Sequence, residues 1–147
     1  MSALPVGSRI GILGDGQLGR MLSTAAARLG FDVVIFGQNE DSPASRVSSH
    51  AICADYLDKD ALAEFSVRTD AITLEFENVP ADALRILQDM GATVHPGPRS
   101  LEVCQDRHLE KSFAREHGVP TADYWVIDSA SDLKAAMAEL AGGGILK

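Results

Sequence analysis

Ile10-Gly11-Ile12-Leu13-Gly14-Asp15-Gly16-Gln17-Leu18-Gly19-Arg20-Met21-Leu22 is the stretch that decides the fold. An apolar run ends in Gly14, Gly16 and Gly19, spaced G-x-G-x-x-G, and an Ala-rich segment follows from Met21 to Leu29. The pattern reads as strand, tight turn and helix. In that arrangement the first glycine makes the turn, the second lets backbone approach a ligand, and the third lets helix pack close on strand. The helix N-terminus presents unpaired N–H groups and a positive dipole end, which suits a phosphate. The competing reading is a turn with a structural role only.

Outward from this unit the chain alternates strands with helices, the pattern of a parallel sheet wrapped by helices. Phe31 to Phe36 is a second strand. A nicotinamide-binding domain wants Asp or Glu at its tip to hold ribose hydroxyls. The tip here reads Gly37-Gln38-Asn39, and the first acids are Glu40 and Asp41. That displacement disfavours an NAD(P)-dependent oxidoreductase, which stays as an alternative beside a non-catalytic nucleotide-binding module. Ala51–Ala54 reads as a third strand, and Asp58 caps a helix running to about Arg68. Ala71–Phe76 is a fourth strand. A helix over Asp82–Met90 is introduced by Pro80 and closed by Gly91. Thr93–His95 is a brief fifth strand, stopped by Pro96-Gly97-Pro98.

That proline-flanked segment divides the expected organisation into an α/β domain over residues 1–98 and the beginning of another over 99–147. In the second part Leu101–His117 is expected as one helix, ended by Gly118-Val119-Pro120. Tyr124–Ile127 is expected as a strand, and Ser129 or Ser131 caps a helix through Leu140. Gly142-Gly143-Gly144 then leads into a last strand, Ile145–Lys147.

Composition excludes several function classes. The chain has 147 residues, 46% of them hydrophobic, and a net charge of −8. That charge argues against broad binding to nucleic acid or to an anionic membrane. No apolar run approaches the roughly 20 residues needed to span a bilayer. Met1–Ser8 lacks a basic region followed by an apolar one, so no secretory signal is expected. Cys53 and Cys104 have no motif spacing and read as reduced thiols of a cytoplasmic protein.

Two further stretches carry chemistry. In Thr73-Leu74-Glu75-Phe76-Glu77-Asn78-Val79-Pro80, period-two alternation puts Glu75 and Glu77 on one face at a strand's carboxyl end. Ligands of open α/β sheets bind at such ends; the plainer reading is two solvated acids. In Gln105-Asp106-Arg107-His108-Leu109-Glu110-Lys111, Arg107, Lys111 and Arg115 recur every four residues as one basic stripe. It suits nucleotide phosphates, or equally a solvated face paired with Glu110 and Glu116. Cys104 and His108 at i and i+4 are two ligands too few for a zinc site. No metal site is expected within the chain.

Gly14-Asp15-Gly16-Gln17-Leu18-Gly19-Arg20-Met21 resembles the opening signature of the N5-carboxyaminoimidazole ribonucleotide synthetase family, within the ATP-grasp superfamily of purine biosynthesis. Gln17-Leu18-Gly19-Arg20-Met21 is its discriminating part. Asp15 stands where that family usually has Gly or Asn, and an acid there repels phosphate unless it points away. Glu75-Phe76-Glu77-Asn78-Val79-Pro80 resembles a second signature, and Asp106-Arg107 with Lys111 a third. The resemblance implies a Rossmann-like pre-ATP-grasp domain followed by the start of an ATP-grasp lobe. It implies a ligase that uses Mg-ATP and bicarbonate to carboxylate 5-aminoimidazole ribonucleotide, working as a homodimer when complete. Gly16, Gln17, Leu18, Glu75 and Asn78 would then serve the substrate, and Arg107 and Lys147 the ATP. No catalytic residue is assigned; the glycine-rich flap over ATP and the magnesium ligands are expected beyond residue 147, so the chain by itself is expected to be inactive.

Overall fold

The computed structural model describes residues 3–140 and 142–146, so Lys147 lies outside the described residues. Two compact units divide the chain, residues 1–105 and 106–147.

The first unit is built on four parallel strands: β1 (Arg9–Leu13), β2 (Asp32–Gly37), β3 (His50–Cys53) and β4 (Ala71–Leu74), in spatial order β3-β2-β1-β4. Register is continuous across the centre, with Ile12 opposite Ile35 on one side and opposite Thr73 on the other. The fifth expected strand shrinks to a single bridge between Ile72 and Val94. Three residues before a Pro-Gly-Pro turn give the ladder no room to continue.

Helices cover both faces, so the central strands are apolar on both sides. On one face Ile12, Val33 and Ile35 pack with Ala26 and Ala44, beneath α1 (Gln17–Arg28). On the other, Leu13, Val34, Phe36 and Ile72 pack with residues of α2 (Lys59–Val67), α3 (Ala81–Asp89) and α4 (Pro98–Gln105). The small residues Gly19, Ser23 and Ala26 form the buried side of α1, which lets it approach the sheet closely. Asp58 caps α2 as the sequence suggests, accepting from the N–H of Asp60 at 3.0 Å and of Ala61 at 3.1 Å.

The division between units falls after Gln105, not at Pro96-Gly97-Pro98. The reason is α4, whose Leu101 is buried in the first unit's core. Arg85 of α3 also pairs with Glu102 of α4, and Gln105 Nε2 donates to the Val79 carbonyl at 2.8 Å.

In the second unit the expected single helix over 101–117 is interrupted. Asp106 leaves the helical conformation, with φ −114° and ψ 117°, and caps α5 (Arg107–Glu116) by accepting from His108 N and Leu109 N. Gly118, at φ +75°, follows the end of α5, and Ser129 rather than Ser131 caps α6 (Ala130–Glu139). Tyr124–Ile127 and Ile145–Leu146 form no ladder among the described residues. A strand exists only as a hydrogen-bonded partner of another, and neither stretch finds one.

Candidate functional site

The chain runs outward from β1 to β2 to β3, then returns across the sheet to β4 on the opposite side of β1. The order therefore reverses at β1 and β4, which makes their carboxyl ends the topological switch point. That is where open α/β sheets place ligands. The glycine loop follows β1, and Glu75 immediately follows β4, so both stand at the switch point.

Their side chains and amides meet there. The Glu75 N–H donates to the Leu13 carbonyl at 3.0 Å, which carries the β4 backbone one residue further alongside β1. Its side chain then turns onto the loop. Glu75 Oε1 accepts from Gly16 N at 2.7 Å, and Oε2 accepts from Gly19 N. Gly16 is the N-cap of α1 and supplies no side-chain cap. The Glu75 carboxylate takes that role from a distant part of the chain, and its charge complements the helix dipole. The glycines are needed for this approach. A Cβ on Gly14 would overlap the Glu75 side chain, and one on Gly16 would stand 2.9 Å from Oε1. Gly14 also carries φ +115°, a conformation that other residues rarely adopt.

This arrangement favours the structural reading of the loop over a phosphate site. The helix terminus already holds an anion, and it belongs to the protein. Two of the amides a phosphate would use are committed to Glu75, and its charge repels a second anion. Gln17 and Leu18, the first turn of α1, remain exposed beside it.

Asp15 points elsewhere. Its Oδ2 accepts from Asn39 N at 2.8 Å and from Asn39 Nδ2 at 3.1 Å, and a Cβ on Gly37 would overlap its Cβ. The carboxylate thus ties the glycine loop to the tip of β2. That tip is where a nicotinamide-binding domain would offer an acid to ribose; here the position is filled from within.

Glu75 and Glu77 do not share a strand face, because β4 stops at Leu74 and Glu77-Asn78 forms a turn. Both turn residues are exposed, and the Gln105 amide holds the turn through the Val79 carbonyl. A cleft of about 270 Å³ lies beside it, lined by Glu75, Glu77, Pro96, Ser100 and Cys104 among others.

Sequence reasoning missed Tyr56, which follows β3. Its ring is buried against Phe36 and Phe76, with centroids 5.9 and 6.5 Å away. Burial, reinforced by the Asp15 and Glu75 carboxylates, pushes its phenol up to about 12. The only signal in the sequence was an aromatic residue within the polar loop Asp55–Asp58 after a strand.

The second unit holds Arg107, which pairs with Glu110 at 2.5 Å. The rest of its basic stripe clamps the following segment: Arg115 and Lys111 stand over the Tyr124 ring at 4.5 and 5.2 Å, and both donate to the Ala122 carbonyl. Arg107, Lys111, Ala122 and Tyr124 border a cavity of about 930 Å³ within that unit. Both cysteines are free and exposed, and no metal-ligating group of three or more His, Cys, Asp or Glu occurs among the described residues. No helix among them is long and apolar enough to cross a membrane.

Residues 8–105 match the family described as the ribonucleotide synthetase preATP-grasp domain. The chain belongs to that family. Among its relatives, the N5-carboxyaminoimidazole ribonucleotide synthase of Brucella melitensis is 47% identical over 146 residues, covering 99% of this chain and 40% of that protein. A bifunctional purine synthesis protein of Dictyostelium discoideum is 42% identical over 98% of this chain and 14% of its own length. An N5-carboxyaminoimidazole ribonucleotide synthetase solved with ADP superposes with a TM-score of 0.87 at 33% identity, over 94% of this chain and 36% of that one. The synthase of Aspergillus clavatus, solved with ADP and 5-aminoimidazole ribonucleotide, gives 0.82 at 26% identity over 92% of this chain and 37% of its own. The preATP-grasp chain thus spans well under half the length of these relatives.

Proposed function

We propose that this chain is the N-terminal part of an ATP-grasp ligase that carboxylates 5-aminoimidazole ribonucleotide with bicarbonate. The products are N5-carboxyaminoimidazole ribonucleotide, ADP and phosphate. The observation that carries this reading is the Glu75 carboxylate seated on the Gly16 and Gly19 amides at the β1/β4 switch point. A carboxylate held from behind by backbone N–H groups keeps lone pairs free to accept from a ligand's hydroxyl or amine hydrogens. It refuses a phosphate. The loop therefore suits the ribose hydroxyls or the amine of the ribonucleotide, with its phosphate placed elsewhere. Gly16, Gln17 and Leu18 would present the loop backbone, and Glu75 and Asn78 the polar side chains.

Arg107 and Lys147 would serve ATP, Arg107 by exchanging its pairing with Glu110 for a phosphate. ATP supplies the phosphoryl group that activates bicarbonate, and such transfer depends on positioned charges. Magnesium would enter with the nucleotide. Its ligands are expected, by resemblance to the family, in the remainder of the enzyme. A homodimer and a cytoplasmic location are expected of the complete protein, by its family.

Calorimetric titration of the full-length protein tests the assignment. Saturable binding of 5-aminoimidazole ribonucleotide that is weakened but still measurable in Glu75→Ala, without binding of NAD or NADP at millimolar concentration, is expected. Micromolar NAD binding with no response to the ribonucleotide would transfer the site to an oxidoreductase.

A further inference from the structure

Tyr56 belongs to none of the motifs from which the site was read, yet three of the sheet's carboxyl-end loops bring it there. It follows β3, its ring leans on Phe36 at the end of β2, and it touches Phe76, the neighbour of Glu75 after β4. The side chain is 8% exposed, so its position is fixed by packing. Its hydroxyl makes no hydrogen bond among the described residues, whereas every fully buried side-chain N or O among them has a partner. The hydroxyl therefore reaches solvent at the edge of an otherwise buried ring. Burial, to which the Asp15 and Glu75 carboxylates add, keeps it protonated through the physiological range.

The site thus contains two acceptor carboxylates, of which Asp15 is engaged by Asn39, and Tyr56 adds a hydroxyl donor with no partner among the described residues. A neutral hydroxyl on the ligand satisfies both kinds of group at once, donating to Glu75 and accepting from Tyr56. A phosphate would meet the carboxylate, and an amine in its charged form would offer Tyr56 no lone pair. The geometry points to Tyr56 as a ligand-contacting residue whose hydroxyl donates a hydrogen bond to a ribose hydroxyl held by Glu75. This rests on the substrate reading above, and it specifies the ribose as the part recognised at the glycine loop.

Tyr56→Phe in the full-length protein removes the hydroxyl and keeps the packing. Titration with 5-aminoimidazole ribonucleotide should show binding weakened about 3- to 10-fold, the range for one neutral hydrogen bond. The melting temperature should stay within about 1 °C, since no intramolecular partner is lost. In the Glu75→Ala background, where the ribose hydroxyl is no longer oriented, the same substitution should change affinity less than twofold. Unchanged ribonucleotide affinity in Tyr56→Phe, with the parent protein binding normally, would overturn the inference and leave the substrate reading standing. A parent protein that does not bind the ribonucleotide at all would overturn both.

Discussion

Glu75 is bound to amides contributed by residues 59 and 56 positions earlier in the chain. Its acidity and its place at a strand end were legible in the sequence; its partner was not, because no local pattern announces a contact across that separation. Glu75→Gln replaces one acceptor oxygen with an NH₂ that faces a backbone donor. Leaving an N–H unsatisfied costs about 1–3 kcal/mol, which urea unfolding should register. Glu75→Ala should also free the helix terminus for a solution anion. Sulfate should then raise the midpoint of the variant more than that of the parent. Tyr56 gives a second test. The folded phenol keeps its proton to about 12, against 10.0 for an ordinary tyrosine. Between those values the unfolded chain binds fewer protons, so stability present below pH 10 falls as pH rises towards 12. The chain has two tyrosines, so Tyr124→Phe isolates the signal. Its absorbance at 295 nm should titrate with a midpoint near the raised value, and a midpoint near 10 would place Tyr56 in water.

At the level of elements, local capping chemistry decided boundaries that hydrophobic spacing alone left open. Asp58 precedes a helix in an obvious turn, and the expected cap forms. Asp106 sits inside a stretch whose spacing runs on as one helix, so the break between α4 and α5 went unread. The same aspartate chemistry acts at both sites: each side chain accepts from two first-turn N–H groups. Asp58→Ala and Asp106→Ala should each cost about 1 kcal/mol of the helix they cap. The two losses belong to different compact units. Hydrogen exchange should therefore accelerate in Lys59–Val67 for the first variant and in Arg107–Glu116 for the second. Acceleration of both helices by either variant would show the units unfolding together.

Across the whole molecule the parallel sheet was legible because its central strands are buried on both faces and read as unbroken apolar runs. Such runs in Ile10–Leu13 and Val33–Phe36 find neighbours on both sides. The stretch Tyr124–Ile127 has the same β-rich composition but lacks, among the described residues, the neighbours that would make it a strand, and composition cannot supply them. The consequence is measurable. Ile10–Leu13 lies in the centre of a four-stranded sheet, with its ladder closed on both edges. Tyr124–Ile127 makes no backbone hydrogen bond among the described residues, and Trp125 and Val126 are exposed. Amide protection follows hydrogen bonding and burial, from near zero in open segments to the global unfolding free energy in central strands. In the 147-residue chain, amides of Tyr124–Ile127 should exchange at close to the unprotected rate, while those of Ile12 and Leu13 exchange only on global unfolding. In a longer chain that provides a partner strand, the same four amides should become protected while those of β1 stay as they are. Equal protection of both stretches in the 147-residue chain would mean that 124–127 has found a ladder here, most simply by pairing with a second copy, and a concentration series would then separate that case from pairing within one chain.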